Sequence, residues 1–219
     1  MEYDTGIVQK PLSELIAEQM KGKIWNQEID FGERLLESDL AEYFDVSRST
    51  IREALRILEN EELIISKARK GTYVADFSQK DRDEIIELRI LLESHAFRQA
   101  VVHMETEHFN ELEKIVENMK REAEQKNWNH MFDLDMQFHG YVVELSDNSR
   151  LIKFYNSIQV QIRTLLVHLD QYYPSHEAFY DEHKQLLEAL KTKDPIQVTE
   201  QVQDHIVFIG KKFTHSNGD

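Results

Sequence analysis

The sequence contains no cysteine, which excludes disulfide cross-links and thiolate metal sites. Glycine and proline are scarce, 7 and 3 of 219 residues. With leucine, glutamate, lysine, glutamine and isoleucine plentiful, this predicts a mainly α protein. No glycine-rich phosphate loop, internal repeat or low-complexity stretch is present. No apolar run reaches the length of a membrane span, and the N-terminus lacks a signal-peptide apolar region. The expectation is a soluble cytoplasmic protein with no membrane partner. Positive charge is also in deficit, with a net charge of −15. Taken alone, that argues against nucleic-acid binding, which depends on neutralising phosphates.

The distribution of charge changes that argument. Residues 1–75 hold ten lysines and arginines against fifteen acids, and six of the ten basic residues lie between Arg48 and Lys70. Every histidine falls after residue 75. Two parts with different chemistry follow: residues 1–76, then a linker over 77–82 and a longer acidic part over 83–219.

In the first part, residues 11–29 predict a helix opened by Pro11, with Leu12, Leu15, Ile16, Met20 and Ile24 at helical spacing. Residues 36–44 predict a second helix, with Leu36, Leu40, Ala41 and Phe44 inward. Asp45-Val46-Ser47 makes a tight turn, and Ser47 is a candidate N-cap for a helix over 48–61. There Ile51, Ala54, Leu55 and Leu58 form an apolar stripe, and Arg48, Arg52 and Arg56 form a separate one beside Ser49 and Thr50. Two short helices of this kind are a helix-turn-helix plan, with arginines suited to guanine edges or phosphates and hydroxyls suited to either. Strands at 63–65 and 72–74 flank a basic turn of Lys67, Arg69, Lys70 and Gly71. That pattern is a wing, a hairpin that enters the minor groove or touches phosphates.

The run from Glu33 to Val74 resembles the winged-helix domain of the GntR family of bacterial transcription regulators. The matching pieces are Leu36-Glu37, Leu40-Ala41, Val46-Ser47-Arg48, Arg52-Glu53-Ala54-Leu55, Leu58-Glu59, and Gly71 with Val74. Two positions depart from the family. Ser38 stands where many members carry an arginine, and Glu62 stands where glycine is usual, at the turn before the wing strand.

Beyond residue 83, six helices are predicted, near 83–103, 105–125, 127–146, 148–171, 175–192 and 194–213. Short connections between long helices imply an antiparallel bundle. Asp135 and His139 share a helical face near Phe132, Met136 and Val143; His183 lies among Phe179, Leu186, Leu187 and Leu190; His205 lies beside Val202, Ile206 and Ile209. Each also reads as an ordinary hydrogen-bonded core residue. Together, one carboxylate and three imidazoles make a ligand set for a divalent transition ion such as Zn, Ni or Mn.

This part resembles the FCD ligand-binding domain of FadR-like GntR regulators, through residues 87–94, 133–142, 182–194 and 203–206. The resemblance implies a metal held by Asp135, His139, His183 and His205. It implies that Arg89 faces an effector pocket, with Arg163 a second pocket cation. Arg89 also reads as a salt-bridge partner of Glu93 at i+4. The expected protein is therefore no enzyme but a homodimeric repressor of operator DNA, controlled by a small carboxylate effector. Two rivals stay open. One is a purely structural metal with a separate organic effector. The other is a metal-dependent hydrolase, for which Glu144 and Glu182 are the only general bases considered and nothing in the sequence places either beside the site.

Overall fold

A computed structural model describes residues 10–169 and 173–214. Residues 1–9 of the expected first domain, and 170–172 at the end of the expected fourth bundle helix and the break after it, lie outside the described residues. The chain divides into two compact units, 1–76 and 77–219.

The first unit holds α1 (Leu12–Trp25), β1 (Arg34–Leu35), α2 (Glu37–Tyr43), α3 (Arg48–Asn60), β2 (Ile64–Lys67) and β3 (Gly71–Val74). The strands form an antiparallel sheet in the order β1-β3-β2. Ile16, Met20 and Ile24 of α1 and Ile51, Ala54 and Leu58 of α3 are buried, so both helices turn an apolar stripe inward, but Leu12 and Leu15, expected in the stripe of α1, are 54% and 43% exposed in its first turn. Lys21 is also buried and is held by Glu61 at 3.0 Å and Glu18 at 2.8 Å. Its ammonium is thus compensated where it leaves water. α3 starts where expected: Ser47 Oγ accepts the backbone N–H of Thr50.

Three expectations for this unit need correction. α1 ends at Trp25 and does not run to residue 29, because Gln27 enters the left-handed region at φ 57 and the following amides turn back to Lys23 and Ile24. Leu36 is 42% exposed because it occupies the extended N-cap position before α2. Leu40, Ala41 and Phe44 are only half-buried. The two-residue strand β1 was not foreseen; it is too short to show alternation. At Glu62 the backbone takes φ 59. The turn keeps the conformation glycine would adopt, at a steric cost to glutamate.

The second unit is a bundle of α4 (Gln79–Ala100), α5 (Thr106–Gln125), α6 (Trp128–Leu145), α7 (Ser149–Leu169), α8 (His176–Lys191) and α9 (Pro195–Thr214). The architecture is mainly α with a small sheet, as expected. The linker expected over 77–82 is not one. Phe77 is buried, and Ser78 caps α4 by a reciprocal pair of bonds with Asp81, so residues 79–82 are its first turn. A polar composition suggested a linker because helix first turns are polar for capping and dipole reasons.

Replacing Glu62 by glycine relieves about 1–2 kcal/mol of left-handed strain and adds about 0.5–1 kcal/mol of chain entropy cost. The expected outcome is a gain of roughly 0.5–1 kcal/mol, read as a higher urea midpoint for the transition of the first unit. A loss would show that the Glu62 side chain stabilises that turn.

Candidate functional site

α6 begins at Asn127, whose side chain accepts the N–H of His130. Asp135 and His139 then fall one turn apart, on the face that also buries Phe132, Phe138 and Val142. Met136, expected on that face, is half-buried at its margin. α8, capped by Ser175, brings His183 inward with Phe179, Leu186 and Leu190. α9 brings His205 between buried Val202 and Ile206. The side chain of Ile209 lies outside the described residues. Asp135, His139 and His183 are fully buried and His205 is 3% exposed. Their donor atoms all lie within 4.8 Å of one another.

The proton positions that the neighbours impose decide what this cluster can bind. His183 Nδ1 lies 2.8 Å from the Phe179 carbonyl, so Nδ1 carries the hydrogen and donates it. Its Nε2 is then a lone pair, 3.0 Å from Asp135 Oδ1. His139 Nδ1 lies 2.5 Å from Glu93 Oε2, which assigns its hydrogen to that side. His139 Nε2 is 3.1 Å from His205 Nε2 and 3.7 Å from Asp135 Oδ1. His205 Nδ1 faces Glu182 Oε2 at 3.6 Å. With the hydrogen of His205 also on Nδ1, three Nε2 lone pairs and a carboxylate oxygen converge. A second proton on one imidazole satisfies one of these approaches; a divalent cation satisfies all of them. Ligand atoms about 2.1 Å from one ion stand roughly 3.0–3.4 Å apart at octahedral to tetrahedral angles; the His183–Asp135 and His139–His205 approaches of 3.0 and 3.1 Å lie in that range, the His139–Asp135 distance of 3.7 Å is longer, and the whole set falls within 4.8 Å. The residues present fit a divalent transition ion.

Electrostatics keep the donors in the ligating form. Burial alone raises the pKa of Asp135, but the Arg89 guanidinium, with His139 and His183, outweighs it and holds the carboxyl far below its usual range. Glu93 is lowered in the same way, burial being outweighed by Arg89 and His139. Burial pushes His205 well below an ordinary histidine, and the neighbouring His183 and His139 push it further. An ionised Asp135 and a neutral His205 are the forms in which these two residues can ligate a metal.

Arg89 is 2% exposed and joins the cluster directly. Its Nε donates to Glu93 Oε1 at 2.7 Å, and its terminal nitrogen donates to Asp135 Oδ2 at 3.2 Å. The i+4 pair with Glu93 is therefore real, and it is buried, not superficial. Arg163 is 4% exposed and sits over the Phe132 ring. It donates to Asp133 Oδ1 at 2.9 Å and to the Asn129 carbonyl at 3.0 Å. Its charge is thus answered by α6. Sequence reading missed Glu93 as a partner of His139. The signal available was its place one turn from Arg89 on an inward face. It also missed Tyr155 of α7, fully buried with a hydroxyl that has no hydrogen-bond partner among the described residues. Burial, then Glu93 nearby, raise its pKa well above the ordinary phenol value. No periodicity argument points to it.

In the first unit the residues expected to meet DNA lie at the start of α3 and on the wing. Arg48 and Ser49 are exposed and Thr50 is half-exposed. Thr50 and Ser49 place their hydroxyls 2.9 and 2.7 Å from Ser47 Oγ. Arg52 is held by Glu37 at 2.8 Å and Arg56 by Glu53 at 3.2 Å. Such exposed pairs are worth little and open readily. On the wing Lys67 lies over the Tyr73 ring, and the Tyr73 hydroxyl donates to the Lys70 carbonyl at 3.1 Å. Arg69 at φ 62 and Gly71 at φ 114 make the tip turn. Glu144, considered for a hydrolase, is exposed on α6. Glu182 touches a candidate ligand from outside the cluster.

Replacing Glu93 by glutamine removes the charge behind His139 and leaves all four donors in place. Carboxylates placed behind ligating histidines typically account for a 10–100-fold effect on metal affinity. A loss of about that size is expected in a chelator competition assay. Unchanged affinity would remove Glu93 from the site.

Comparison with known proteins identifies both units. Residues 12–74 match the bacterial regulatory proteins of the gntR family, and residues 84–208 match the FCD domain. The gluconate operon transcriptional repressor of Bacillus licheniformis is 30% identical over 184 residues, covering 82% of this chain and 75% of that protein. The HTH-type regulator YdhC of Bacillus subtilis is 30% identical over 190 residues, covering 85% and 84%. A GntR regulator from Rhodococcus sp. RHA1 superposes with a TM-score of 0.80 at 17% identity, covering 93% of this chain and 98% of that one. Escherichia coli McbR/YncC superposes with a TM-score of 0.75 at 21% identity, covering 94% and 100%. These two show the fold. With a winged helix in front and an FCD bundle behind, the chain belongs to the GntR family of bacterial transcription regulators and is not an enzyme.

Proposed function

We propose that this chain is a cytoplasmic, homodimeric repressor whose grip on operator DNA is set by a small carboxylate metabolite bound beside a divalent transition ion. Residues 1–76 read DNA through Arg48, Ser49, Thr50, Arg52 and Arg56 of α3 and Lys67, Arg69, Lys70 and Gly71 of the wing. Residues 77–219 hold the ion through Asp135, His139, His183 and His205. Zn and Ni suit the imidazoles and Mn suits the carboxylate. The repressor sign follows relatives named as repressors of gluconate and D-xylose operons.

One observation carries the effector reading: the charge balance of a sealed site. Among the fully buried groups here, Arg89 contributes one positive charge, and Glu93 and Asp135 one negative each. With the imidazoles in the neutral form that ligation requires, they add nothing and the set is one negative charge from neutrality. A divalent ion reverses that to one positive, and one monoanion then restores balance. Uncompensated buried charge is costly, so the loaded site favours an anionic ligand. When bound, the ion supplies a Lewis-acidic position for that anion. Arg89 orients Asp135, Glu93 orients His139, and Phe97, Phe138 and Phe179 pack against the imidazoles and keep water out. Differential binding of the anion to two dimer geometries would shift DNA affinity. Exposed Leu88 and Leu91 of α4 and Phe154 of α7 favour self-association of the bundle. Two recognition helices would then meet successive major grooves.

A purely structural ion is the competing reading, favoured by the complete burial of three of the four donors. Stripping the metal separates them. The regulatory reading predicts a folded bundle by circular dichroism whose DNA affinity no longer responds to carboxylic acids. Unfolding of the bundle on chelation would favour the structural ion. On the DNA side, Arg48→Ala is expected to cut affinity for the promoter of the regulated gene at least tenfold in a gel shift, with an unchanged melting curve. Normal binding would sink the assignment of α3 as the recognition helix.

A further inference from the structure

The sheet of the first unit places one more cation at the wing. β1 pairs with β3 so that Arg34 stands opposite Tyr73 and Leu35 opposite Thr72. β2 pairs with β3 so that Lys67 stands opposite Gly71 at the foot of the turn. From its place opposite Tyr73, Arg34 does not extend outward from the sheet. Its side chain runs along β3 toward the tip and lies over Gly71. A Cβ built on Gly71 would come within 3.0 Å of Arg34 Nε and 3.3 Å of a terminal nitrogen. Gly71 therefore serves twice: it takes φ 114, and it leaves the space the guanidinium occupies.

This guanidinium differs from two of the arginines on α3. Arg52 and Arg56 are each held by a carboxylate. Arg34 is exposed and has no ion pair or hydrogen bond among the described residues. It packs over Gly71, in the same hairpin that carries the exposed cations Lys67, Arg69 and Lys70. An exposed guanidinium that makes no ion pair keeps its donors for an incoming anion, and the basic hairpin beneath it raises the local positive potential. Its planar fork suits the paired oxygens of a phosphodiester.

We propose that Arg34 is a DNA-backbone contact, its guanidinium completing with the wing a clamp on one phosphate that carries no sequence information. This rests on the DNA-binding reading above and adds a residue from outside α3 and the hairpin. It also assigns Gly71 a role in binding through Arg34, beyond turn geometry.

The test uses the full chain and a short mixed-sequence duplex, with anisotropy titrations over a range of salt concentrations. One phosphate contact on B-DNA contributes about 0.9 to the slope of log affinity against log salt. Arg34→Ala is expected to weaken binding several-fold and to make that slope shallower by about 0.9 per bound chain. Arg34→Lys, which keeps the charge, should recover most of the slope. An unchanged slope in Arg34→Ala would overturn the proposal. A weaker affinity with an unchanged slope and a lowered melting temperature would also overturn it, because Arg34 would then only brace the wing. Failure of the unaltered protein to bind any duplex would instead overturn the DNA-binding reading itself, and this contact with it.

Discussion

The buried guanidinium of Arg89 is the constraint on which the second unit depends. Two carboxylates, Glu93 and Asp135, are removed from water in the core of the bundle. Neither would stay ionised there alone. Arg89 bridges them, at 2.7 Å to one and 3.2 Å to the other, and so fixes the faces they turn to the imidazoles. Asp135 spends one oxygen on Arg89 and keeps the other for the cluster. Glu93 spends one on Arg89 and the other on His139. Breaking such a network at one member leaves a buried charge without its partner, a penalty of several kcal/mol. The donor geometry of α6 is therefore tied to α4, the helix that continues directly from the first unit in sequence.

How much of this was legible in the sequence follows from the physics of each signal. Helices α3 to α9 were readable because long amphipathic periods and polar caps are local properties. Ser47 is a case where both cap and helix were foreseen. Asp135 and His139 could be placed on one face by spacing alone. Their convergence with His183 and His205 could not, since it depends on how three helices rotate against one another. Only the family resemblance supplied it. Arg89 was expected to face an incoming ligand; its first commitment is to the protein's own carboxylates. Tyr155 was invisible because a tyrosine on an inward face looks like any other core aromatic. In the first unit, strand β1 escaped notice because two residues carry no period, and with it the position of Arg34.

The acidic balance of the chain is reconciled with DNA binding by local arrangement. Glu37 and Glu53 do not abolish the arginines beside them; they hold Arg52 and Arg56 in place on the surface of α3. Exposed ion pairs of this kind exchange for phosphate at little cost. The surrounding acids also make loose, sequence-independent contact with DNA weaker, so binding leans on the few side chains that fit.

The absence of cysteine acquires a further meaning in the bundle. Asp135 and His205 lie seventy residues apart in the chain, on the first and last of the three helices that supply the cluster. An ion held between them acts as a covalent staple would, restricting the unfolded chain by closing a long loop. Unlike a disulfide, such a staple is at equilibrium with its surroundings. Each tenfold rise in free ion above its dissociation constant adds about 1.4 kcal/mol to the stability of the folded bundle. Under the function proposed above, the lifetime of the regulator in the cell would then follow the supply of metal, independently of any control of its DNA affinity.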